Sequence, residues 1–483
     1  MRPNRTAFMR NGYTRVLIVR LPCKKVFPTG PIYLLSLLRR AAPRTSLRLL
    51  DLALVERGRR TAALAEAIRE HSPDLVAFSW RDMQIFSPQD LDGGLRDAFI
   101  FFHDPSMVRK VGAAARGLRD ILSYSSAIEE NLRLIRGAAK ANPGLDIALG
   151  GPSVKIFGDT LAGRLPPYVS VFPDTGLDRF FQKIGFPLPE DPVEPEIDLE
   201  SVESAFPQWP AYRNEMIGVQ SKQGCPHSCL YCLYGFLEGR RVVRRQPARV
   251  VAEMSAYARR WGARRFWFAD AQLLSERADH EHLAAVLKGI QKERLPLQWG
   301  GYLRIHEVDH ALARLMVRTG LADLEVSLNS GAQEVVDQLR LGFSVKQAIK
   351  GFRTLKESGY SGKVFVNLSL NAPGETRRTL HETFQTLREI RSIFGPDRVV
   401  PVIFFLAIQP HTSLESKAIA DGQIGEGYDP LSVLPWDVLR LIYNPSPLGG
   451  IIGRSCARAF ATGGDADMIL HMIERDIEIE NVS

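Results

Sequence analysis

The feature that most constrains this 483-residue sequence is one loop, Gly224-Cys225-Pro226-His227-Ser228-Cys229-Leu230-Tyr231-Cys232. It gathers three of the chain's five cysteines at C-x3-C-x2-C spacing, while Cys23 and Cys456 stand alone. Thiolates this close on a loop containing glycine and proline suit a soft metal centre. A closed zinc site wants four ligands in a tetrahedron, and a four-iron cluster normally takes four cysteines. Three sulfurs without an obvious fourth partner leave one iron of such a cluster open to a ligand that is not protein. A zinc site of three thiols and His227 is the alternative on these residues alone.

Composition narrows the setting. Five cysteines with three in one loop make no disulfide framework, and an oxygen-sensitive centre implies a reducing cytoplasm. The length allows two or three domains. No apolar run reaches membrane-spanning length, and Val16-Leu17-Ile18-Val19 is too short for a signal-peptide core. The net charge of +8 comes from arginines spread along helical patterns, with one dense run at 240–245. No aromatic platform accompanies it, so neither nucleic acid nor membrane is expected as a partner.

Strand and helix patterns alternate through residues 14–185, with strands at 14–22, 47–52, 74–79, 146–150 and 169–172. That alternation predicts a parallel α/β sheet, whose ligands sit beyond the carboxyl ends of its strands. A partly amphipathic stretch from 107 to 141 lies within an insert between strands three and four. Residues 186–215, with many prolines and acids, read as a linker. A second alternation runs over 216–415, with strands near 217–220, 265–270, 297–304, 322–328, 362–370 and 399–408. Six βα units fall short of the eight that close a barrel. Residues 416–483 read as a helical cap, with 444–450 as a loop, 465–480 as a closing helix and Cys456 as a buried structural thiol.

The cysteine trio after the first strand of the second alternation, with Tyr231 before the last cysteine, resembles the radical SAM enzymes. That resemblance implies a (βα)6 partial barrel over 216–415 and a [4Fe-4S] cluster on Cys225, Cys229 and Cys232. It also implies S-adenosylmethionine (SAM) on the open iron, reduced to a 5'-deoxyadenosyl radical by electrons from a flavodoxin or ferredoxin. The layout of 1–185 resembles the Rossmann-like cobalamin-binding domain that precedes many radical SAM domains. It rests on the first helix, the strand ending in Asp51 and the turn Gly150-Gly151-Pro152. The Asp-x-His-x-x-Gly loop that supplies an axial histidine to cobalt is missing, and neither His71 nor His103 replaces it. Cobalamin therefore stays open as a third cofactor.

By position, the resemblance places cofactor contacts at Tyr231, Gln272, Arg304, Ser327, Asn329, Asn367, Ser369 and Gln409. Asn329 stands where relatives carry a glutamate, and Asn371 replaces the first glycine of a Gly-x-Pro-Gly-Glu-Thr turn. Arg304 reads equally as a cofactor-carboxylate contact or a surface ion pair, and Glu375 as a helix cap or a ligand. Glu325, Asp270, Tyr302 and His306 are the candidate catalytic groups, with His411 beside them, because polar groups at the carboxyl ends of barrel strands converge on the axis. Glu325 could protonate a leaving group. The missing histidine and overall layout resemble radical SAM diol dehydratases, implying dehydration at C3' of an aminoglycoside such as paromamine. Methylation with cobalamin is the competing expectation. A small polar or cationic substrate would be met by acids such as Asp82, Asp90, Asp92, Asp174 and Asp178.

Overall fold

The computed structural model describes residues 12–81, 88–173, 177–322, 324–432, 437 and 440–479. The sequence begins its first sheet with a β-branched run that buries both faces, as parallel strands do. Strands β1 (Arg15–Arg20), β2 (Ser46–Asp51), β3 (Leu75–Ser79), β4 (Asp146–Gly150) and β5 (Val169–Val171) pair in parallel in the order β2-β1-β3-β4-β5. Alternate side chains divide between two cores. Val16, Ile18, Leu49, Leu75 and Ala77 join the core that runs on into the second half of the chain. Leu17, Val19, Val76, Phe78, Ile147 and Leu149 pack under the helices of the opposite face. Helices α1 (Thr29–Ala41), α2 (Arg60–His71), α3 (Pro88–His103), α4 (Met107–Ala141), α5 (Pro152–Gly163) and α6 (Leu177–Lys183) complete this layer. The insert is thus a helical hairpin of α3 and α4, with the C-terminal segment Leu448–Ala461 packed against α3.

The proline-rich segment is not a loose tether. It forms α7 (Leu199–Ala205) and buries Val202, Phe206 and Tyr212 completely. The Tyr212 hydroxyl donates to Asp51, Arg20 Nη1 donates to Asp51 Oδ2 at 2.8 Å, and Arg20 and Asp51 are 1% and 0% exposed. The linker is therefore keyed into the carboxyl ends of β1 and β2.

Six further parallel strands follow: β6 (Ile217–Val219), β7 (Arg265–Phe268), β8 (Gln298–Gly301), β9 (Leu324–Asn329), β10 (Val364–Ser369) and β11 (Val399–Phe404). They form two three-stranded sheets, joined by parallel bridges Trp299↔Leu321 and Tyr302↔Glu325 into one open arc. Helices α8 (Pro247–Arg260), α9 (Ala278–Lys292), α10 (His310–Arg318), α11 (Gln333–Gln338), α12 (Val345–Glu357) and α13 (Arg377–Phe394) cover its outside. Ser344 with Gln347 and Thr376 with Thr379 close capping boxes at α12 and α13, fixing where those helices begin.

The last expected strand splits. After Phe404 the chain leaves the arc, and Leu406–Ala407 pairs antiparallel with Ile442–Tyr443 of the cap. The stretch expected as a loop at 444–450 turns into α14 (Leu448–Ala461) from Leu448 onward, and α15 (Ala466–Ile479) closes the described chain. Cys456 lies inside α14, is 1% exposed, and burial pushes its thiol up to about 12. No described helix is long and apolar enough to cross a membrane.

Candidate active site

The site is built from the loop that leaves β6. Lys222–Gln223 pairs antiparallel with Val243–Arg244, so the cysteine loop closes on itself as a hairpin between them. Three carboxylates nail the hairpin down. Asp270 accepts from Ser221 N at 2.7 Å, Lys222 N at 3.2 Å and Ser221 Oγ at 2.5 Å. Asp279 takes the ammonium of Lys222, which is 1% exposed, and Arg244 Nε at 2.8 Å. Glu238 Oε2 accepts from Gly224 N at 3.0 Å, while Cys225 N donates to Gly239 O at 3.0 Å. Glu238 and the Lys222–Asp279 pair were not among the expected site residues. An acid six residues past the last cysteine and a lysine three before the first were the only signals in the sequence.

The loop opens onto a cavity of about 180 Å³ lined by Cys225, Cys229, Cys232, Tyr231, Gln272, Tyr302, Arg304, His306, Ser327 and Asn329, among others. Seven of the expected catalytic or cofactor positions thus share one wall with the three cysteines. Tyr231 donates from its hydroxyl to Asn329 Oδ1 at 3.0 Å. Asn329 adopts φ +63°, at a register shift that ends β9, and its carbonyl accepts from Ser369 Oγ at 3.3 Å. Such a bulge re-aims side chains at the rim of an open barrel. Burial raises Tyr302 to about 12 and pushes His306 down to about 3 and His227 to about 4, so both imidazoles are neutral.

The other expected positions stand behind this wall. Asp270 is 1% exposed, its oxygens are taken by Ser221 and Lys222, and burial pushes its carboxyl up to about 6. Glu325 lies across the bridge from Tyr302 and accepts from Asn367 Nδ2 at 2.9 Å. Gln409 borders a separate small cavity with Phe157 and Leu441. His411 stacks on Phe236, with ring centroids 4.1 Å apart, and its Nε2 lies 3.1 Å from Ile156 O. Asn371 takes φ +54°, a conformation that explains a glycine in the related turn and that asparagine tolerates. Among the expected acids, Asp178 is exposed; Asp82 and Asp174 lie outside the described residues, as do the side chains of Asp90 and Asp92.

Three thiols with no fourth cysteine in the loop suit a cluster with one iron per cysteine and one iron left open. Three residues that line the cavity each carry a buried polar atom with no partner in the protein, His227 Nε2, Gln272 Oε1 and Arg304 Nε, which fits a polar ligand beside the cluster. The fit to cobalamin is weaker. Leu21, Trp80 and Gly151-Pro152-Ser153 follow β1, β3 and β4 and offer no imidazole. His71 lies near Ser46 and Val16 at the amino ends of the strands, and His103 packs against Gly453.

Comparison with known proteins agrees with this geometry. The sequence model of the Radical SAM superfamily matches residues 219–387. A tRNA-2-methylthio-N(6)-dimethylallyladenosine synthase of Saccharopolyspora erythraea is 24% identical over 308 residues, covering 60% of this chain and 59% of that one. The anaerobic magnesium-protoporphyrin IX monomethyl ester cyclase of Rubrivivax gelatinosus is 23% identical over 208 residues, covering 41% and 36%. The chain spans about half the length of the curated relatives it matches. Among solved structures, the radical SAM methyltransferase TsrM from Kitasatospora setae matches with TM-score 0.59 and 18% identity, covering 84% of this chain and 76% of that one. The cobalamin-dependent SAM radical enzyme OxsB matches with TM-score 0.60 and 11% identity, covering 93% and 67%. At these identities the structural likeness concerns the fold, and it extends through the N-terminal sheet. Residues 219–387 thus match the Radical SAM superfamily, a match that implies a [4Fe-4S] cluster and SAM as cofactors.

Proposed function

We propose that this protein is a radical SAM enzyme that dehydrates a vicinal diol of a small polar molecule, as at C3' of the aminoglycoside paromamine. The observation that carries the reading is a proton-handling pair beside the cavity. Tyr302 lines it, and Glu325 lies directly across the strand bridge with one oxygen held by Asn367. Bound cluster and SAM supply the hydrogen-abstracting radical chemistry of the family, with electrons from a flavodoxin or ferredoxin. The chain's own residues do the rest. Cys225, Cys229 and Cys232 hold the irons, and Gln272, Arg304, Ser327 and Asn329 orient the ligand beside them. Asn367 fixes the Glu325 carboxyl so that it can hand a proton to a departing hydroxyl. Ser369 holds the Asn329 backbone, while Asp270 anchors the cysteine loop.

Cobalamin-dependent methylation of an unactivated carbon is the second reading. The β2-β1-β3-β4-β5 order and the fold likeness to TsrM and OxsB favour it. One experiment separates them. The chain is reconstituted anaerobically with iron and sulfide in the presence of hydroxocobalamin, desalted, and given paromamine, SAM and reductant. Cluster absorption without corrin bands, and a product lighter by one water, is the expected result. Retained corrin bands with a product heavier by one methylene would overturn the dehydratase reading.

A further inference from the structure

Arg304 closes the loop after β8 and is 9% exposed. Among the described residues no carboxylate pairs with it. Its contacts are neutral: Nη1 donates to Leu341 O at 3.0 Å, and Nη2 donates to Gly342 O at 3.1 Å and contacts His306 Nε2 at 3.0 Å. Nε has no partner, and the residue lines the cavity shared with the cysteines. A guanidinium does not give up its charge, so burying one against neutral acceptors is costly until an anion meets it.

His306 is what turns the guanidinium. A guanidinium only donates, so His306 must present Nε2 as an acceptor and carry its proton on Nδ1. The ring is fixed by stacking on Phe343, with centroids 4.9 Å apart at 26°, and 6% of its side chain is exposed. The charged groups facing it are Arg304 and, at 3.4 Å from Nε2, the half-exposed Glu307; His227, also neutral, lies nearby. An imidazole whose lone pair is occupied in this way has no free nitrogen on that side to act as a base.

We infer that His306 is a positioning residue: it holds the Arg304 guanidinium so that it meets the carboxylate of a ligand in the cavity. This rests on SAM as the bound cofactor, whose methionyl group carries that carboxylate. Two probes make the test, SAM and decarboxylated SAM, binding to the reconstituted chain and read by equilibrium dialysis and by the shift in the reduced-cluster EPR spectrum. His306→Leu keeps bulk against Phe343 and removes the acceptor, whereas His306→Gln restores one. His306→Leu is expected to weaken SAM about tenfold or more, and His306→Gln to stay within about threefold of the parent. Decarboxylated SAM should bind parent and His306→Leu alike, with iron content unchanged. Arg304→Gln should give the same selective loss, non-additive with His306→Leu. Should His306→Leu fail to load iron, Arg304→Gln and His306→Gln decide. The inference is overturned if Arg304→Gln or His306→Leu weakens both probes equally or neither, or if His306→Gln keeps SAM affinity and loses turnover. Failure of the parent chain to bind SAM is a different result and would overturn the cofactor reading itself.

Discussion

Gly224 offers the sharpest test of how the cluster loop is held. It sits at φ +94°, and a Cβ there would lie 2.1 Å from Arg241 O and 2.9 Å from Arg241 C. Gly239, in the same loop, has φ +86° with nothing within 4 Å of its would-be Cβ. Gly239→Ala therefore incurs only the conformational cost of a left-handed alanine, about 1–2 kcal/mol. Gly224→Ala adds a collision with a backbone carbonyl, which must retreat by roughly 1 Å to reach ordinary contact distance. That retreat separates Gln223 from Val243 and pulls Gly224 N off Glu238, each contact being worth about 1 kcal/mol net. The total for Gly224→Ala is about 3–4 kcal/mol, concentrated on the residue next to Cys225. Iron and sulfide per chain after anaerobic reconstitution read the effect, with far-UV circular dichroism checking the fold. Gly239→Ala should load nearly as the parent does, and Gly224→Ala should load poorly. Equal loading of the two variants would refute the claim that the hairpin clamps the loop.

Two other substitutions probe buried charge. Burial lifts Asp270 to about 6, above its unfolded value, so the unfolded chain releases this proton first and stability falls as pH rises from about 4 to 6. Asp270→Asn should remove that slope, gaining up to about 3 kcal/mol over the parent at pH 8 relative to pH 4. A pH-independent difference in thermal midpoint would contradict it. Asp51→Ala strands the Arg20 guanidinium in a site 1% exposed and should cost about 3–5 kcal/mol in denaturant unfolding. A loss under about 1 kcal/mol would show that the network is not tight.

Most strands are legible because they are apolar, largely β-branched or aromatic runs between glycine, proline or capping signals, and parallel burial leaves them little else to be. The spacing of Cys225, Cys229 and Cys232 pointed to their chemistry for a similar reason, since three thiols in eight residues have few other uses. What the sequence hid were features made by distant partners. The pairings of Lys222–Gln223 with Val243–Arg244 and of Leu406–Ala407 with Ile442–Tyr443 are two residues long and carry no periodicity. The α14 start is masked by Gly449 and Gly450, which read as a loop but lie in the helix's first turn, Gly449 buried. The sequence places Asp270 at the end of its strand; in the structure that strand ends at Phe268 and the Asp270 side chain turns back onto Ser221. Arg304 was ambiguous between an ion pair and a ligand contact, and the structure gives it burial without a carboxylate.

The short helix after the cysteines, Tyr234–Leu237, is gripped from two sides. Lys155 Nζ donates to Leu237 O at 3.2 Å and lies over the Phe236 ring, which His411 covers from the turn after Leu406–Ala407. Leu233 and Leu237 are buried in the core of the N-terminal sheet. In order of synthesis that sheet leaves the ribosome before the cysteine loop, and His411 arrives last. The first half of the chain is thus a template on which the loop's exit is laid down, and the turn carrying His411 acts as the latch. A barrel expressed without its N-terminal sheet would have to acquire its irons on a loop whose far end rests on water.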